Sequence, residues 1–289
     1  MSVSNRVIPN ISVRLARRFF SKRFRLASAT RKSKLFNRIV VKAFFDGDDM
    51  RVIPKDSVAR RKVIETDIRV EDSGVRVIMP SAIVKETISK TEDIFIMNFC
   101  LCRTSSKCKD YPAERGCIFL GEGIHRIPEE FGHIATPEEA CRYIDECGDL
   151  GLVHIIGRNK LDKVWLNIGK KRDFITICNC CPCCCLWNMV RDISDEIGSL
   201  FRKMDSVEVI LDSERCTGCG ICTEACFAKA VTIDNGKCRI DTDRCRGCGR
   251  CAEMCPGNAI SLSYDPEASR REVDAICALN GAESVTGSR

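Results

Sequence analysis

The strongest constraint on this chain is the spacing of eight cysteines between Cys216 and Cys255. The run C-T-G-C-G-I-C-T-E-A-C places Cys216, Cys219, Cys222 and Cys226 as C-x2-C-x2-C-x3-C. The run C-R-G-C-G-R-C-A-E-M-C-P repeats that pattern at Cys245, Cys248, Cys251 and Cys255, so each cysteine has a counterpart 29 residues on. Three thiolates at steps of three on a tight loop can reach three irons of one cubane, while the fourth, on the short helix that follows, points away toward another cluster. A pair of zinc sites or a disulfide framework is the alternative, but zinc motifs usually use paired C-x2-C knuckles without the third and fourth cysteines.

These residues resemble the bacterial two-cluster ferredoxin family over roughly residues 207–262. The resemblance implies an α+β unit of two short helices and two small β-hairpins. Carried over residue by residue, it implies one 4Fe-4S cluster on Cys216, Cys219, Cys222 and Cys255 and a second on Cys245, Cys248, Cys251 and Cys226. Gly218, Gly220, Gly247 and Gly249 suit loops whose N–H groups must turn toward sulfur. One departure is visible: Cys255 is followed by Pro256, as in the family, but Cys226 is followed by Phe227.

The chain has 289 residues, room for two domains. Its 22 cysteines would suggest disulfides in a secreted protein. No signal peptide is apparent and no run approaches the ~18 apolar residues of a membrane span, so a reduced cytoplasm, in an organism living with little oxygen, is the expected home. The net charge of +6 conceals a split. Residues 1–42 hold 12 Lys or Arg and no acid, which leaves the remainder at −6.

The segment 1–45 is basic and amphipathic. Arg14, Arg17, Arg18, Lys22, Arg23 and Arg25 interleave with Leu15, Phe19, Phe20, Phe24 and Leu26, and Leu35, Phe36, Ile39, Val40, Ala43 and Phe44 follow at helical spacing. Such helices can cover part of the core, lie on an anionic membrane surface through residues 11–45, or dock a partner. Residues 16–22 resemble a twin-arginine export signal, but Arg23, Arg25, Arg31, Lys32 and Lys34 occupy the place of the apolar stretch such a signal needs. An organellar transit peptide is a further alternative for this acid-free composition.

Residues 46–205 read as a mixed helical and β-hairpin, cysteine-rich domain, opening on an acidic linker at Asp46–Asp49. A helix is expected from Pro80, with Ile83, Val84, Ile88 and Ile94 on one side. Cys100, Cys102, Cys108 and Cys117 then fall in a polar loop, where ligand or redox duty fits better than packing. Thr136-Pro137-Glu138-Glu139 is a helix start, and Cys141 and Cys147 sit among that helix's apolar positions. Strand-like runs at 152–156 and 163–168 predict a hairpin, and helix followed by hairpin resembles a winged-helix module in element order. Then come Cys178, Cys180, Cys181, Cys183, Cys184 and Cys185. Six thiols in eight residues exceed what packing uses, and their mutual repulsion as thiolates calls for a metal. Combined with Cys100, Cys102, Cys108 or Cys117, they could hold a third iron–sulfur cluster, with zinc or a redox-active thiol patch as alternatives. A continuous helix is expected over 186–201, a ferredoxin unit over 206–264 and a flexible tail over 265–289. His125, His133 and His154 read as structural.

The layout of residues 98–262 also resembles a group of ferredoxin-containing proteins of anaerobes, which implies linked function for the two halves. No G-x4-G-K-[ST] loop and no dinucleotide fingerprint is present. The chain is therefore expected to be an electron carrier or redox subunit serving a partner protein. A reductase with its active site in the cysteine-rich domain is the alternative, and a redox-sensing regulator the minor one. Nucleic acid is not an expected partner.

Overall fold

The computed structural model describes residues 20, 22–61, 79–169 and 173–282. It is an α+β protein built on a seven-stranded mixed sheet. Helices α1 (Arg23–Lys32) and α2 (Lys34–Val40) run through a π-helical turn (Val41–Phe45) into β1 (Asp49–Val52) and β2 (Ala59–Arg61). Helix α3 (Pro80–Ile88), β3 (Ile94–Met97), α4 (Leu101–Ser106), β4 (Ile118–Leu120) and β5 (Gly132–Ile134) follow. Next come α5 (Pro137–Asp149), β6 (Val153–Arg158), α6 (Lys160–Trp165), β7 (Ile175–Cys180), a 3-10 turn (Leu186–Arg191), α7 (Asp195–Gly198) and β8 (Phe201–Lys203).

The sheet order is β5-β3-β4-β7-β6-β1-β8, antiparallel throughout except for β1 with β8. Its middle strands are buried on both faces: every residue of β3 and β7 is inside, as expected of strands sandwiched between layers. One face carries α3 and α5, through Ile83, Val84 and Ile88 and through Ala140, Ile144 and Cys147. The other packs Met50, Val52, Val153 and Ile155 against Trp187, Val190 and Phe201. Where β1 crosses β6, Gly157 (φ +152°) lets the backbones meet; a Cβ there would stand 2.0 Å from the Asp49 carbonyl oxygen.

The remaining elements are β9 (Val207–Leu211), α8 (Ile221–Ala225), β10 (Val231–Asp234), β11 (Lys237–Ile240), α9 (Arg250–Glu253), β12 (Ile260–Tyr264) and α10 (Pro266–Ala282). Strands β10 and β11 form a hairpin over Asn235 (φ 48°) and Gly236 (φ 73°), the positive angles a type I′ turn requires. The other antiparallel pair is not a hairpin but the first and last strands of the unit, β9 and β12. Strand β2, some 200 residues earlier, adds parallel to β12 and completes a three-stranded sheet.

Several expected elements take other forms. Ile94 leaves the helix and begins β3. The first half of the 163–168 run belongs to helix α6, which Asn159 caps by accepting from the Asp162 N–H, and the partner of β6 is β7, with Val153 opposite Cys180. The winged-helix order therefore gives way to strands inside a larger sheet. The 186–201 helix is broken by Ser194, whose hydroxyl caps α7. The 265–282 part of the expected flexible tail holds helix α10, anchored by buried Val273 and Ile276, by Arg270–Glu86 (2.6 Å) and by Lys90–Asp274 (2.6 Å). Residues 11–19 and 21, with the twin-arginine stretch, and residues 283–289 lie outside the described residues. Helices α1 and α2 dock through Ala27, Thr30 and Asn37, with Ser194 bonded to both Thr30 and Asn37, and leave Leu35 and Ile39 exposed.

The acidic stretch at 46–49 is not a linker. Asp49 opens β1, and the buried Asp48 accepts the Lys160 N–H (2.7 Å) through Oδ1 while Oδ2 has no hydrogen-bond partner. Burial pushes its pKa up to about 7. The folded state thus holds a proton that the unfolded chain releases near pH 4. The group's penalty grows as pH rises from about 4 toward 7 and is constant above that. Asp48→Asn is expected to gain on the order of 1–3 kcal/mol at pH 8, and less at pH 5.5, in anaerobic denaturant unfolding.

Candidate metal centres

In residues 207–264 the two cysteine runs are held in matching ways. Asp212 accepts the N–H groups of Glu214 and Arg215 ahead of the first loop, and Asp241 those of Asp243 and Arg244 ahead of the second. Gly220 (φ 81°) and Gly249 (φ 85°) stand at the N-caps of α8 and α9. Ala230 N–H donates to Cys226 Sγ, and Ala259 N–H to Cys255 Sγ, both at 3.3 Å. Cys238 N–H donates to Cys216 Sγ (3.3 Å) and Gly247 N–H to Cys245 Sγ (3.4 Å). Gly218 lies so close to the β10–β11 turn that a Cβ would stand 2.2 Å from the Gly236 carbonyl oxygen.

The structure brings Cys216, Cys219, Cys222 and Cys255 around one cavity, together with Ile233, Cys238 and Pro256. Cys226 neighbours Cys245, Cys248 and Cys251 instead. Each run thus sends its fourth cysteine to the other group. The N–H groups of Cys238 and Gly218 lower the Cys216 pKa, whereas burial pushes Cys248 up to about 11. Thiol-lined space ringed by inward N–H groups fits an anionic iron–sulfur cluster.

The ten candidate ligand cysteines of the middle domain do not converge on one point. Strand β7 ends at Cys180, and the turn that follows sends the thiols to two places. Cys181, Cys183 and Cys184 join Cys108, with all four Sγ atoms within 4.8 Å of one another; Cys108 and Cys183 are 3.5 Å apart. A tetrahedral ion with bonds of about 2.3 Å holds sulfurs roughly 3.8 Å apart, so the set fits a metal. The second group lies apart: Cys117 Sγ is 3.9 Å from Cys178 Sγ, Cys180 Sγ is 3.1 Å from Cys185 Sγ, and Cys100 pairs with Cys102. Of the four cysteines expected to supplement the 178–185 run at a single centre, only Cys108 reaches the first set.

Cys100 and Cys102 sit at the start of α4 rather than in a loop, and that helix carries Arg103, which is wholly buried. Its guanidinium donates to the carbonyls of Pro112 (2.8 Å), Asn179 (2.9 Å) and Arg115. It also lies beside Cys100, Cys117 and Cys181, at the seam between the two thiol groups. The C-x-C-R string contains this arginine, but nothing in the string marks it as buried.

The halves meet closely. Arg250, between Cys248 and Cys251, donates to the Cys180 carbonyl (2.5 Å). Trp187 stacks on Phe201 (centroids 4.5 Å, planes 1° apart), and Phe201 meets Phe227 at 6.2 Å. Phe227 therefore has a packing role where the resembled family has proline. The three histidines take structural partners: His125 with Asp93, His133 with Glu139 and the buried His154 with Asn179. Cys147 is buried in α5 as a small hydrophobe, and Cys238, which fits no ligand spacing, lies 3.8 Å from Cys222 Sγ.

A family model described as a 4Fe-4S dicluster domain matches residues 208–260. These residues form a ferredoxin-type iron–sulfur domain. No curated protein and no solved structure matches the chain.

Arg103→Lys keeps the charge but not the fork of donors. It is expected to cost roughly 1–3 kcal/mol for each carbonyl left without a donor, read as a lowered midpoint in anaerobic guanidinium unfolding.

Proposed function

We propose that the chain is an electron-transfer protein or redox subunit that relays single electrons to or from a partner protein in a reducing cytoplasm. The observation that carries this is the duplicated N–H to sulfur pattern at Cys226 and Cys255, set beside the two groups of four thiols it serves. Cys216, Cys219, Cys222 and Cys255 would hold one 4Fe-4S cluster, and Cys245, Cys248, Cys251 and Cys226 the second. Such a cluster, when bound, supplies one-electron uptake and release. The surrounding chain orients the thiolates, excludes water and aims N–H groups at the sulfurs, which together set the potential.

Cys108, Cys181, Cys183 and Cys184 would hold a further metal centre beside this domain, an iron–sulfur cluster or, as the alternative, zinc. Cys219 and Cys183 are exposed, and a partner could approach at either. The exposed Cys183 also favours the second reading, a reductase whose substrate meets the middle domain. No helix among the described residues is long and apolar enough to cross a membrane. The exposed Leu35 and Ile39, beside Lys34, Arg38 and Lys42, suit peripheral contact with an anionic membrane surface.

Because β2 completes the sheet of the ferredoxin-type domain, the test uses the full chain. Anaerobic preparations are expected to hold at least about eight irons with matching acid-labile sulfide, and to give iron–sulfur EPR signals on reduction. Cys219→Ser and Cys248→Ser should each perturb a different signal. Zinc in place of iron, with no EPR signal after reduction, would refute the proposal. If Cys183→Ser abolishes turnover with an added substrate while those signals remain, the reductase reading replaces the relay.

A further inference from the structure

The second thiol group has no part in the reading above, yet six cysteines from four stretches of chain meet in it. Cys100 and Cys102 come from the start of α4, Cys117 from the approach to β4, Cys178 and Cys180 from β7, and Cys185 from the turn beyond. Cys100, Cys178, Cys180 and Cys185 are buried, and Cys102 and Cys117 are partly so. As small hydrophobes they would be expected to scatter among aliphatic neighbours. Here they touch one another, at 3.1 Å for Cys180 with Cys185 and 3.9 Å for Cys117 with Cys178, and Cys185 Sγ also accepts the Trp187 N–H (3.4 Å).

A second, independent observation is the charge beside them. Arg103 is fully buried, and its hydrogen bonds go to backbone carbonyls rather than to a carboxylate. A buried cation requires a compensating anion. The groups placed to supply it are the sulfurs of Cys100 and Cys117 on one side and of Cys181 on the other. A second guanidinium, Arg23, lies near Cys102 and Cys185, and near Cys184 of the other set, against the rings of Phe20 and Phe24. Two cations around six thiols make a pocket suited to a net-negative centre.

We propose that Cys100, Cys102, Cys117, Cys178, Cys180 and Cys185 form a separate site that takes an iron–sulfur cluster of its own, with four of the six as ligands. All-sulfur donor sets select zinc, copper(I) or iron–sulfur centres. The shape of this one decides among them. The Cys108 set closes within 4.8 Å, tight enough for a single ion, whereas these six sulfurs are strung through β7 and its neighbours as pairs. That arrangement suits ligands directed at several metals. Arg103, between the two sets, would neutralise charge on both. Trp187, stacked on Phe201, which meets Phe227 at a tilt, links the residues beside Cys185 to the one after Cys226, so the site adjoins the ferredoxin-type domain.

The test is iron, zinc and acid-labile sulfide analysis of the anaerobically purified full chain, alongside two double variants. Cys117→Ser/Cys180→Ser is expected to lose about four irons and four sulfides relative to wild type, leaving the metal of the Cys108 set and the about eight irons of residues 208–260 in place. Cys108→Ser/Cys183→Ser should remove only the metal of its own set. Unchanged iron and sulfide in the first variant overturns the proposal. So does loss of both middle-domain centres in either variant, which would mean one shared centre. If the first variant does not fold, wild type decides: a Cys180–Cys185 disulfide found by peptide mass spectrometry, or six freely alkylated thiols in this group, overturns it. Absence of the C-terminal irons would count against the electron-transfer reading instead, so the two failures are separable.

Discussion

Everything in the cysteine-rich half depends on how one short piece of backbone disposes of six thiols while satisfying its own polar groups. In β7 the pleat puts Cys178 and Cys180 on one face and Ile177 and Asn179 on the other. The ladder to β6 and the Arg250 donor to the Cys180 carbonyl then hold the strand end in place. Beyond it, the Cys184 N–H donates to Cys181 Sγ (3.3 Å) and Asn188 donates to the Pro182 carbonyl (2.7 Å), which closes a turn that points consecutive cysteines in opposite directions. Two thiol sites arise from eight residues because strand geometry and turn geometry meet there. A continuous helix or a longer strand would have merged or scattered them.

The two halves are interlocked rather than tethered. After β1 in the large sheet, the chain places β2 in the other sheet, beside β12, and α10 returns from the C-terminal unit to pack on α3. Glu272 of α10 accepts the N–H groups of Asp205 and Ser206 at the boundary itself (2.9 and 2.7 Å). Phe227, Arg246 and Arg250 then carry the ferredoxin-type domain onto the sheet and onto β7, with Arg246 donating to the Gly198 carbonyl (3.2 Å). Relative motion of the halves would break a sheet, a helix contact and buried guanidinium bonds together. That rigidity suits sites that must keep fixed separations.

What could be read from sequence follows from whether the signal is local. Cysteine spacing, glycines at positive φ and the Thr136 cap are local and carry their own geometry. The split of the 178–185 run, the burial of Arg103 and the helicity of 266–282 are set by partners far along the chain. Residues 163–168 read as a strand-like run. The Asn159 cap and the Asp162 carboxylate, bonded to Trp165 Nε1 (2.7 Å) and Thr176 Oγ1 (2.9 Å), nevertheless wind the segment's first part into a helix. Phe227 looked like a departure from a family pattern until Phe201 gave it something to pack against.

The parallel pairing of β2 with β12 also has a temporal meaning. Ala59 lies opposite Leu262, so during synthesis the N-terminal strand must wait for about 200 further residues before its partner exists. Its unpaired N–H and C=O groups remain an open edge until the ferredoxin-type unit has emerged and closed on it. The ferredoxin-type unit therefore seals an edge left by a segment made about 200 residues earlier, so the cysteine-rich half is not closed until its C-terminal neighbour has folded onto it.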